Sequence, residues 1–244
     1  MISPLSRLPR ISSSALREWE RIAGGAASAV SRWRRPGWPL RLVRLAAKVV
    51  LVIALPFVVM VKVAVLLYAH EGVPTGLALA AGTLCTAAVV TGYAAWVWHR
   101  VTGHVRLALV ARRFALPFAL AYSVYALVYF SSSHAKSDQV RAYYSSLHPL
   151  LRVALSTLIL IDRDMVVTDL TRRPEDYALM KLPQNDGSLH YIQRDGYAHA
   201  ADLRTAGRSW VKNRLVQLYF WSMGFSTLRH AGTADHLHVE LPVH

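Results

Sequence analysis

Two histidines near the end of the chain, His236 and His238, have the spacing that a metal site on a β-strand requires. Residues two apart on a strand point to the same face of the sheet, so both imidazoles would lie together. Upstream, His190 and Asp202 add a third imidazole and a carboxylate. Two imidazoles and one carboxylate can bind zinc and leave its fourth position open for water, while the remaining imidazole could move protons. The four residues therefore predict a divalent metal site, with zinc (Zn²⁺) as the expected ion.

Short strands and tight turns must position these residues. Asp195-Gly196 is a strong hairpin signal, and a hairpin there would bring His190 and Asp202 onto adjacent strands. The predicted strands are residues 165–168, 188–193, 197–205, 226–230 and 236–241, with turns at 183–187 and around Gly232. The predicted helices are residues 149–161 and 209–223, the second ended by Gly224 as its C-cap. This pattern predicts a small α+β domain with an antiparallel sheet.

Three short motifs resemble those of the zinc peptidases of bacterial cell walls: Ser188-Leu189-His190, Ala200-Ala201-Asp202-Leu203 and Asp235-His236-Leu237-His238. These peptidases include the D-alanyl-D-alanine carboxypeptidases and murein endopeptidases of the lysostaphin/hedgehog superfamily. The resemblance covers about residues 148–242 and implies a zinc-peptidase-like fold.

The same resemblance implies the role of each site residue. The zinc ligands would be His190, Asp202 and His238, and His236 would match the catalytic histidine of the endopeptidase branch. An upstream arginine on the substrate side would be Arg172 or its neighbour Arg173.

The first motif departs from the usual pattern of this superfamily, in which the histidine stands seven residues before the aspartate. Asp195 occupies that position here, and His190 stands twelve residues before Asp202, so the resemblance requires an insertion. His199 is the rival ligand. Its spacing of three from Asp202 should turn it to the other face of a regular strand, which favours His190.

The net charge of +14 is largely a property of the first 48 residues, which hold ten Lys and Arg against two acidic residues. A basic segment directly before an apolar run is more typical of membrane orientation than of nucleic-acid binding. We therefore expect a lipid bilayer and no nucleic acid among the partners. Cys85 is the only cysteine, which excludes an intramolecular disulfide and a cysteine-based zinc site.

Three apolar runs, at about residues 48–68, 75–98 and 114–130, predict three transmembrane helices. The link after the second run contains four arginines, whereas the link at residues 70–74 contains no Lys or Arg. The positive-inside rule then places the N-terminus inside the bacterial cytoplasmic membrane and the C-terminal domain outside, in the periplasm or at the cell surface. Lys62 inside the first run is expected to reach toward the membrane surface or to face the helix bundle, and this is favoured over a functional charge that marks a pathway.

The predicted organisation is thus a basic cytoplasmic segment (1–48), a three-helix transmembrane region (49–130) and an extracytoplasmic peptidase-like domain (131–244). The expected function is a membrane-anchored zinc metallopeptidase that cleaves peptidoglycan stem peptides, as a D,D-carboxypeptidase or an endopeptidase. The alternative is an inactive relative that binds cell-wall peptides or an envelope protein. The sequence leaves open the bond cleaved, the oligomeric state, a host or phage origin, and any role of the spans beyond anchoring.

The remaining residues with possible chemistry receive simpler interpretations. His134, His148 and His244 are expected to be incidental, and His230 only near the site. Arg204 and Arg208 flank the site and could bind a substrate carboxylate or form surface salt bridges. Tyr219, Phe220 and Trp221 are expected in the core, and an interfacial helix is expected around residues 14–22.

Overall fold

The computed structural model describes residues 13–14, 16–22, 24, 38–179, 187–232 and 235–242. The chain divides into two compact units, residues 1–53 and 54–244. The functional boundaries expected after residues 48 and 130 stay predictions. Residues 16–22 are helical, as expected, while His244 and most of the turn predicted at 183–187 lie outside the described residues.

Three helices in the described part of the chain are long and apolar enough to cross a membrane. They are α1 (Trp38–Ala69), α2 (Thr75–Thr102) and α3 (Leu107–Val128), the last with a π-helical turn at Ala111–Ala115. Each corresponds to a predicted span. The first begins about ten residues earlier than expected because arginine, lysine and leucine, which dominate residues 40–48, are all good helix formers.

Close contacts join α1 to α2. The hydroxyl of Thr86 on α2 donates to the backbone carbonyl of Pro56 on α1. One turn away, Gly82 is buried so closely that a Cβ on it would lie 2.5 Å from the carbonyl oxygen of Met60. A small residue at position 82 thus permits the two helices to approach.

Two helices, α4 (Asp138–Ala142) and α5 (Pro149–Ile161), follow the spans. Buried polar groups connect α5 to the end of α3: Ser156 Oγ donates to the carbonyl of Ala126 at 3.1 Å, and Arg152 Nη1 donates to that of Leu127 at 2.9 Å. Tyr144 also donates to Ala126 at 2.7 Å. The apolar side chains of α1, α3 and α5 therefore belong to one core that continues under the sheet.

The sheet has four antiparallel strands in the order β1-β2-β4-β3. The strands are β1 (Val167–Asp169), β2 (Ala200–Arg204), β3 (Ser226–His230) and β4 (His236–Glu240). Helix α6 (Pro174–Leu179) lies between β1 and β2 in sequence, and helix α7 (Trp210–Met223) lies between β2 and β3. The predicted α+β class, with a small antiparallel sheet after three apolar helices, is confirmed.

The predicted strand at residues 188–193 is wrong. The two arms of the expected hairpin form one isolated bridge, Ile192 with Ala198, and one further hydrogen bond, from His199 N–H to the Leu189 carbonyl, and regular strand begins at Ala200. Turns replace the strand, because Tyr191 N–H bonds to the Ser188 carbonyl and Gly196 adopts a φ of 84°. His190 therefore reaches the sheet from a loop.

The predicted helix at 209–223 is confirmed as α7, with its caps. Ser209 Oγ accepts from the backbone N–H of Lys212, and Gly224 ends the helix in the left-handed conformation, with φ of 99°. Of the three aromatic residues expected in the core, Phe220 is fully buried, but Trp221 is 68% exposed, so that expectation was wrong for Trp221.

Candidate metal centre

The central strands place two of the predicted ligands side by side. Asp202 on β2 is the direct antiparallel partner of His238 on β4, so both side chains project from the same face of the sheet. On β4, Leu237 and Val239 point to the core, whereas His236, His238 and Glu240 are partly exposed on the opposite face. His236 and His238 thus point to the same face of the strand, as predicted.

The loop before β2 positions the third predicted ligand, His190. The backbone carbonyl of His190 accepts from the N–H of Arg172, and its imidazole Nδ1 lies 2.6 Å from the carbonyl oxygen of Leu170. Both partners belong to the segment between β1 and α6. These contacts hold His190, which is 2% exposed, over the sheet beside Asp202.

The three inner atoms have distances that suit a metal ion. His190 Nε2 lies 3.3 Å from His238 Nδ1 and 3.3 Å from Asp202 Oδ1, and the last two atoms are 2.8 Å apart. Ligands about 2.05 Å from a tetrahedral zinc ion stand about 3.3 Å from one another. Two of the three distances match a tetrahedral zinc site, and Asp202 Oδ1 would have to move away from His238 Nδ1 to complete it.

Each imidazole has one ring nitrogen that points toward Asp202 and an outer one that points away from it. The contacts of the outer nitrogens indicate where the protons lie. His190 Nδ1 faces a carbonyl oxygen, and His238 Nε2 lies 3.4 Å from the carboxylate of Glu240, so both outer nitrogens carry protons. In neutral imidazoles the inner nitrogens then present lone pairs toward Asp202. A cation between these acceptors removes their repulsion, whether it is the proton that His238 and Asp202 share in their hydrogen bond or a divalent metal ion, and two imidazoles with one carboxylate fit zinc.

Charge around Asp202 keeps this carboxyl ionised. Burial alone would raise its pKa, but hydrogen bonds with His190 and His238 hold the pKa well below its usual range. Burial likewise opposes protonation of His238, but the hydrogen bond and charge of Asp202 raise its pKa above the ordinary value. A divalent cation would take the place of this shared proton.

Arg172 supports the same carboxylate. Its Nη2 donates to Asp202 Oδ2 at 2.8 Å, and its Nε donates to Asp169 Oδ2, so one guanidinium joins β1 to β2. The two carboxylates raise the pKa of Arg172 despite its burial. Its neighbour Arg173 instead lies over the ring of Tyr143, 5.8 Å from the ring centre. Of the two predicted arginines, only Arg172 therefore reaches the cluster.

A cleft of about 600 Å³ opens over the cluster, within the range of small-molecule sites. Residues of the β1–α6 segment, the His190 loop, β3 and β4 line it, among them Arg172, Tyr177, Ser188, His230 and His236. Tyr177 donates to Ser188 at 2.9 Å and closes one wall. The cluster therefore has an open side through which a ligand could enter.

His236 lies on the cleft side of the cluster. Its Nε2 is 3.7 Å from Asp202 Oδ2, and its ring stacks on that of His230 at 4.8 Å. The preceding residue, Asp235, points elsewhere: it pairs with Arg229 at 2.8 Å and accepts from Thr205 at 2.6 Å. Of these two neighbouring side chains, only His236 lies at the cleft.

Arg204 and Arg208 were expected to flank the site, and the structure does not place either in the cleft wall. Arg208 lies just before α7, because the turn after β2 leads away from the cleft. Its guanidinium forms a buried ion pair with Asp162. Arg204 is exposed at the end of β2. Of the two expected roles, Arg208 therefore has the ion pair, and binding of a substrate carboxylate by Arg204 stays a prediction.

A second group of His148, Asp195 and His199 also brings potential ligand atoms together. His199 Nε2 lies 2.7 Å and His148 Nε2 3.6 Å from Asp195 Oδ2, and His148 Nε2 also contacts Thr75 Oγ1 at 3.1 Å. His148 Nδ1 accepts from the backbone N–H of Leu150 and so caps α5. In the neutral ring the proton of His148 is then on Nε2, so both imidazoles can direct a proton toward Asp195 without a metal.

The expectation that His148 is incidental was therefore wrong, since its side chain is fully buried as a helix cap. The signal was present in the sequence, because a polar residue directly before Pro149 and an apolar helix occupies an N-cap position. His199, the rival of His190, is bound in this second group and not beside Asp202. Asp195 combines its predicted turn role, accepting from Tyr197 N–H, with the contact to His199.

No protein-family model, no curated protein and no solved structure matches this chain.

Proposed function

We propose that this chain is a membrane-anchored zinc metallopeptidase that cleaves peptide bonds in peptidoglycan stem peptides. The observation that carries the proposal is the convergence of His190, Asp202 and His238 on one point at the base of an open cleft. The bond cleaved, by D,D-carboxypeptidase or endopeptidase action, belongs to the proposal only through the resemblance of the motifs.

The donor set supports zinc among the common metals. Two nitrogens and one carboxylate oxygen at tetrahedral spacing suit zinc, whereas magnesium and calcium prefer oxygen ligands in larger numbers. When bound, zinc would supply a water activated near neutral pH and would polarise the scissile carbonyl.

The protein's own groups would do the rest of the chemistry. His236, at the edge of the cleft, would take and return the proton as general base and acid. Arg172 would hold Asp202 in place and, from the cleft wall, would stabilise negative charge on the substrate oxygen.

The charge distribution of the spans supports an extracytoplasmic site. With the arginines of the α2–α3 link and the basic N-terminal segment in the cytoplasm, the domain after α3 would face the cell wall. We therefore place the protein in the bacterial cytoplasmic membrane, with its cleft on the side where peptidoglycan is found.

The first test measures zinc in the untagged full-length protein purified in detergent. The full chain is needed because α5 packs against α3, so a fragment that starts at residue 131 would expose core. Elemental analysis should find one zinc ion per chain in the wild type and none in His238→Ala. His230→Ala, which changes a histidine of the same cleft outside the ligand set, should keep its zinc. Equal zinc in wild type and His238→Ala would overturn the proposal.

The second test incubates the zinc-loaded protein with purified peptidoglycan and identifies released products by mass spectrometry. His236→Gln should keep the metal but lose most activity, because general acid–base catalysis contributes about 10²–10⁴-fold. Zinc binding without any released product would instead favour the alternative of a non-catalytic protein that binds cell-wall peptides.

A further inference from the structure

Helix α7 is apolar on two opposite faces. The face toward the core consists of Asn213, Val216, Phe220 and Met223, all buried. The outward face carries five large apolar side chains that are each more than half exposed: Trp210, Val211, Leu215, Leu218 and Trp221. At about 100° per residue, Leu218 lies opposite the centre of the buried stripe. A helix that is apolar on both sides is normally covered on both sides.

The C-terminal end of α7 lies against the first membrane helix. A Cβ at Gly224 would be 3.1 Å from Val65 Cγ1 and 3.9 Å from Lys62 Nζ. Val65 and Lys62 stand four and seven residues before Ala69, the last residue of α1, which is about 6 and about 10 Å along the helix axis. The C-terminal end of α7 therefore lies beside α1 at a level about 6–10 Å before its last residue, Ala69.

That level lies within the hydrocarbon-crossing part of α1. Arg41, Arg44 and Lys48 exclude the first part of the helix, which leaves residues 49–69. About twenty residues are needed to cross the hydrocarbon core, so this part has no length to spare. Helices that lie in the membrane interface are buried about 5–10 Å below the headgroup boundary, the same level at which α7 meets α1.

The polar groups of α7 suit the same environment. Trp210 and Trp221 stand at its two ends, and tryptophan is enriched at the membrane–water interface. Arg214 lies over the ring of Trp210, 5.7 Å from its centre, where it could meet lipid phosphates. At the other end, the ammonium of Lys62 lies close to the C-terminus of α7, whose carbonyls carry partial negative charge.

We propose that the outward face of α7 is a lipid-binding surface, immersed in the leaflet that surrounds the α1–α2 loop. With 14 residues the helix is too short to cross a membrane, so it lies along the surface. Its occupant is the acyl-chain and headgroup region of the bilayer that holds α1, because the end of α7 meets that span at Val65. The domain is thus fixed on the membrane by α7 as well as by its link to α3.

The experiment uses the full-length protein in vesicles of phosphatidylethanolamine and phosphatidylglycerol. Leu218→Cys and Ala178→Cys, each in a Cys85→Ser background, carry an environment-sensitive fluorophore; Ala178 is an exposed residue of α6 and serves as the control. Wild type labelled at Cys85, ten residues into α2, provides the deep-membrane reference. All three positions are exposed, so the labels should not disturb the core.

The label at Leu218 should be quenched several-fold more by lipids with a nitroxide near the headgroup than by lipids with a nitroxide at the chain end. Cys85 should show the reverse order, and Ala178→Cys should respond only to iodide in the water. If iodide reaches Leu218→Cys as readily as Ala178→Cys, the proposal fails. It fails equally if neither iodide nor lipid nitroxides reach Leu218→Cys, because another protein surface, such as a second copy, would then cover α7.

Discussion

Asp202 and His238 are direct partners in the β2–β4 ladder, and Asp202 Oδ1 lies 2.8 Å from His238 Nδ1. Backbone hydrogen bonding, and not a flexible loop, therefore sets the distance between two of the three candidate ligands. A shift of one residue in this register would turn one of them into the core. The third candidate ligand, His190, is added from a loop, where its carbonyl accepts from Arg172 N–H and its Nδ1 faces the carbonyl oxygen of Leu170.

The first prediction concerns the charge at the centre. Asp202→Asn keeps the size of the side chain but removes its negative charge and replaces one carboxylate oxygen by an NH₂ group. Zinc affinity should therefore fall by more than about 100-fold, which exceeds the loss typical of changing a residue that only contacts a ligand. Competition against a fluorescent zinc chelator in detergent measures the change.

The matched control is Asp164→Asn. Asp164 is exposed and pairs with Lys212, far in sequence from the cluster, so its loss should leave zinc affinity unchanged. If Asp202→Asn binds zinc as the wild type does, the carboxylate is not a ligand.

The second prediction concerns Arg172, which contacts two carboxylates at once. Lysine offers a single point charge and cannot donate to both Asp169 and Asp202 in the same fork geometry. Arg172→Lys should therefore lower zinc affinity by about 10–100-fold, as other outer-shell changes do. The adjacent Arg173→Lys provides the control, and equal affinities in the two variants would show that Arg172 does not orient the ligand.

The sequence predicted the part of the site that depends on short-range order. Alternation along β4 places His236 and His238 on one face, and this follows from the two-residue period of any strand. The preference for His190 over His199 used the same period, and the structure has His190 beside Asp202. The pairing of β2 with β4 could be anticipated, but its register could not.

The rest depends on contacts between distant segments. Turn signals at 188–196 were interpreted as a regular hairpin, although Ile192 and Ala198 form only one bridge, because sequence patterns do not show how a loop packs on the sheet. The burial of His148 depends on Thr75, 73 residues earlier. The exposure of Trp221 depends on which face of α7 packs on the core, and that face carries Val216, Phe220 and Met223.

The third prediction concerns acid stability and His148. Burial, together with the nearby His199, lowers the pKa of His148 to about 3, although Asp195 opposes the shift. The unfolded chain has a histidine pKa of about 6.5 and takes up a proton below that pH, whereas the folded protein does not until about pH 3. The stability contributed by neutral His148 is thus complete above about pH 6.5 and is lost progressively as the pH falls.

His148→Asn tests this, because asparagine can still cap α5 but does not titrate. Between about pH 7.5 and pH 5.5 the wild type should lose about 1.4 kcal/mol more than the variant. Thermal unfolding in the same detergent at both pH values measures the difference. Parallel losses in the two proteins would show that His148 is not the group responsible.

The last prediction concerns the contact between α1 and α2. At Gly82 an added methyl group would meet the carbonyl oxygen of Met60 at 2.5 Å, and a backbone atom cannot move aside by changing rotamer. Gly82→Ala should therefore separate the helices and destabilise the protein by about 1–3 kcal/mol.

Gly92, ten residues later in α2, has nothing within 4 Å of its would-be Cβ. Gly92→Ala should leave stability unchanged or raise it by up to about 1 kcal/mol, because alanine has the higher helix propensity. Thermal unfolding compares the two variants, and equal stability would mean that α1 and α2 are not in close contact at Gly82.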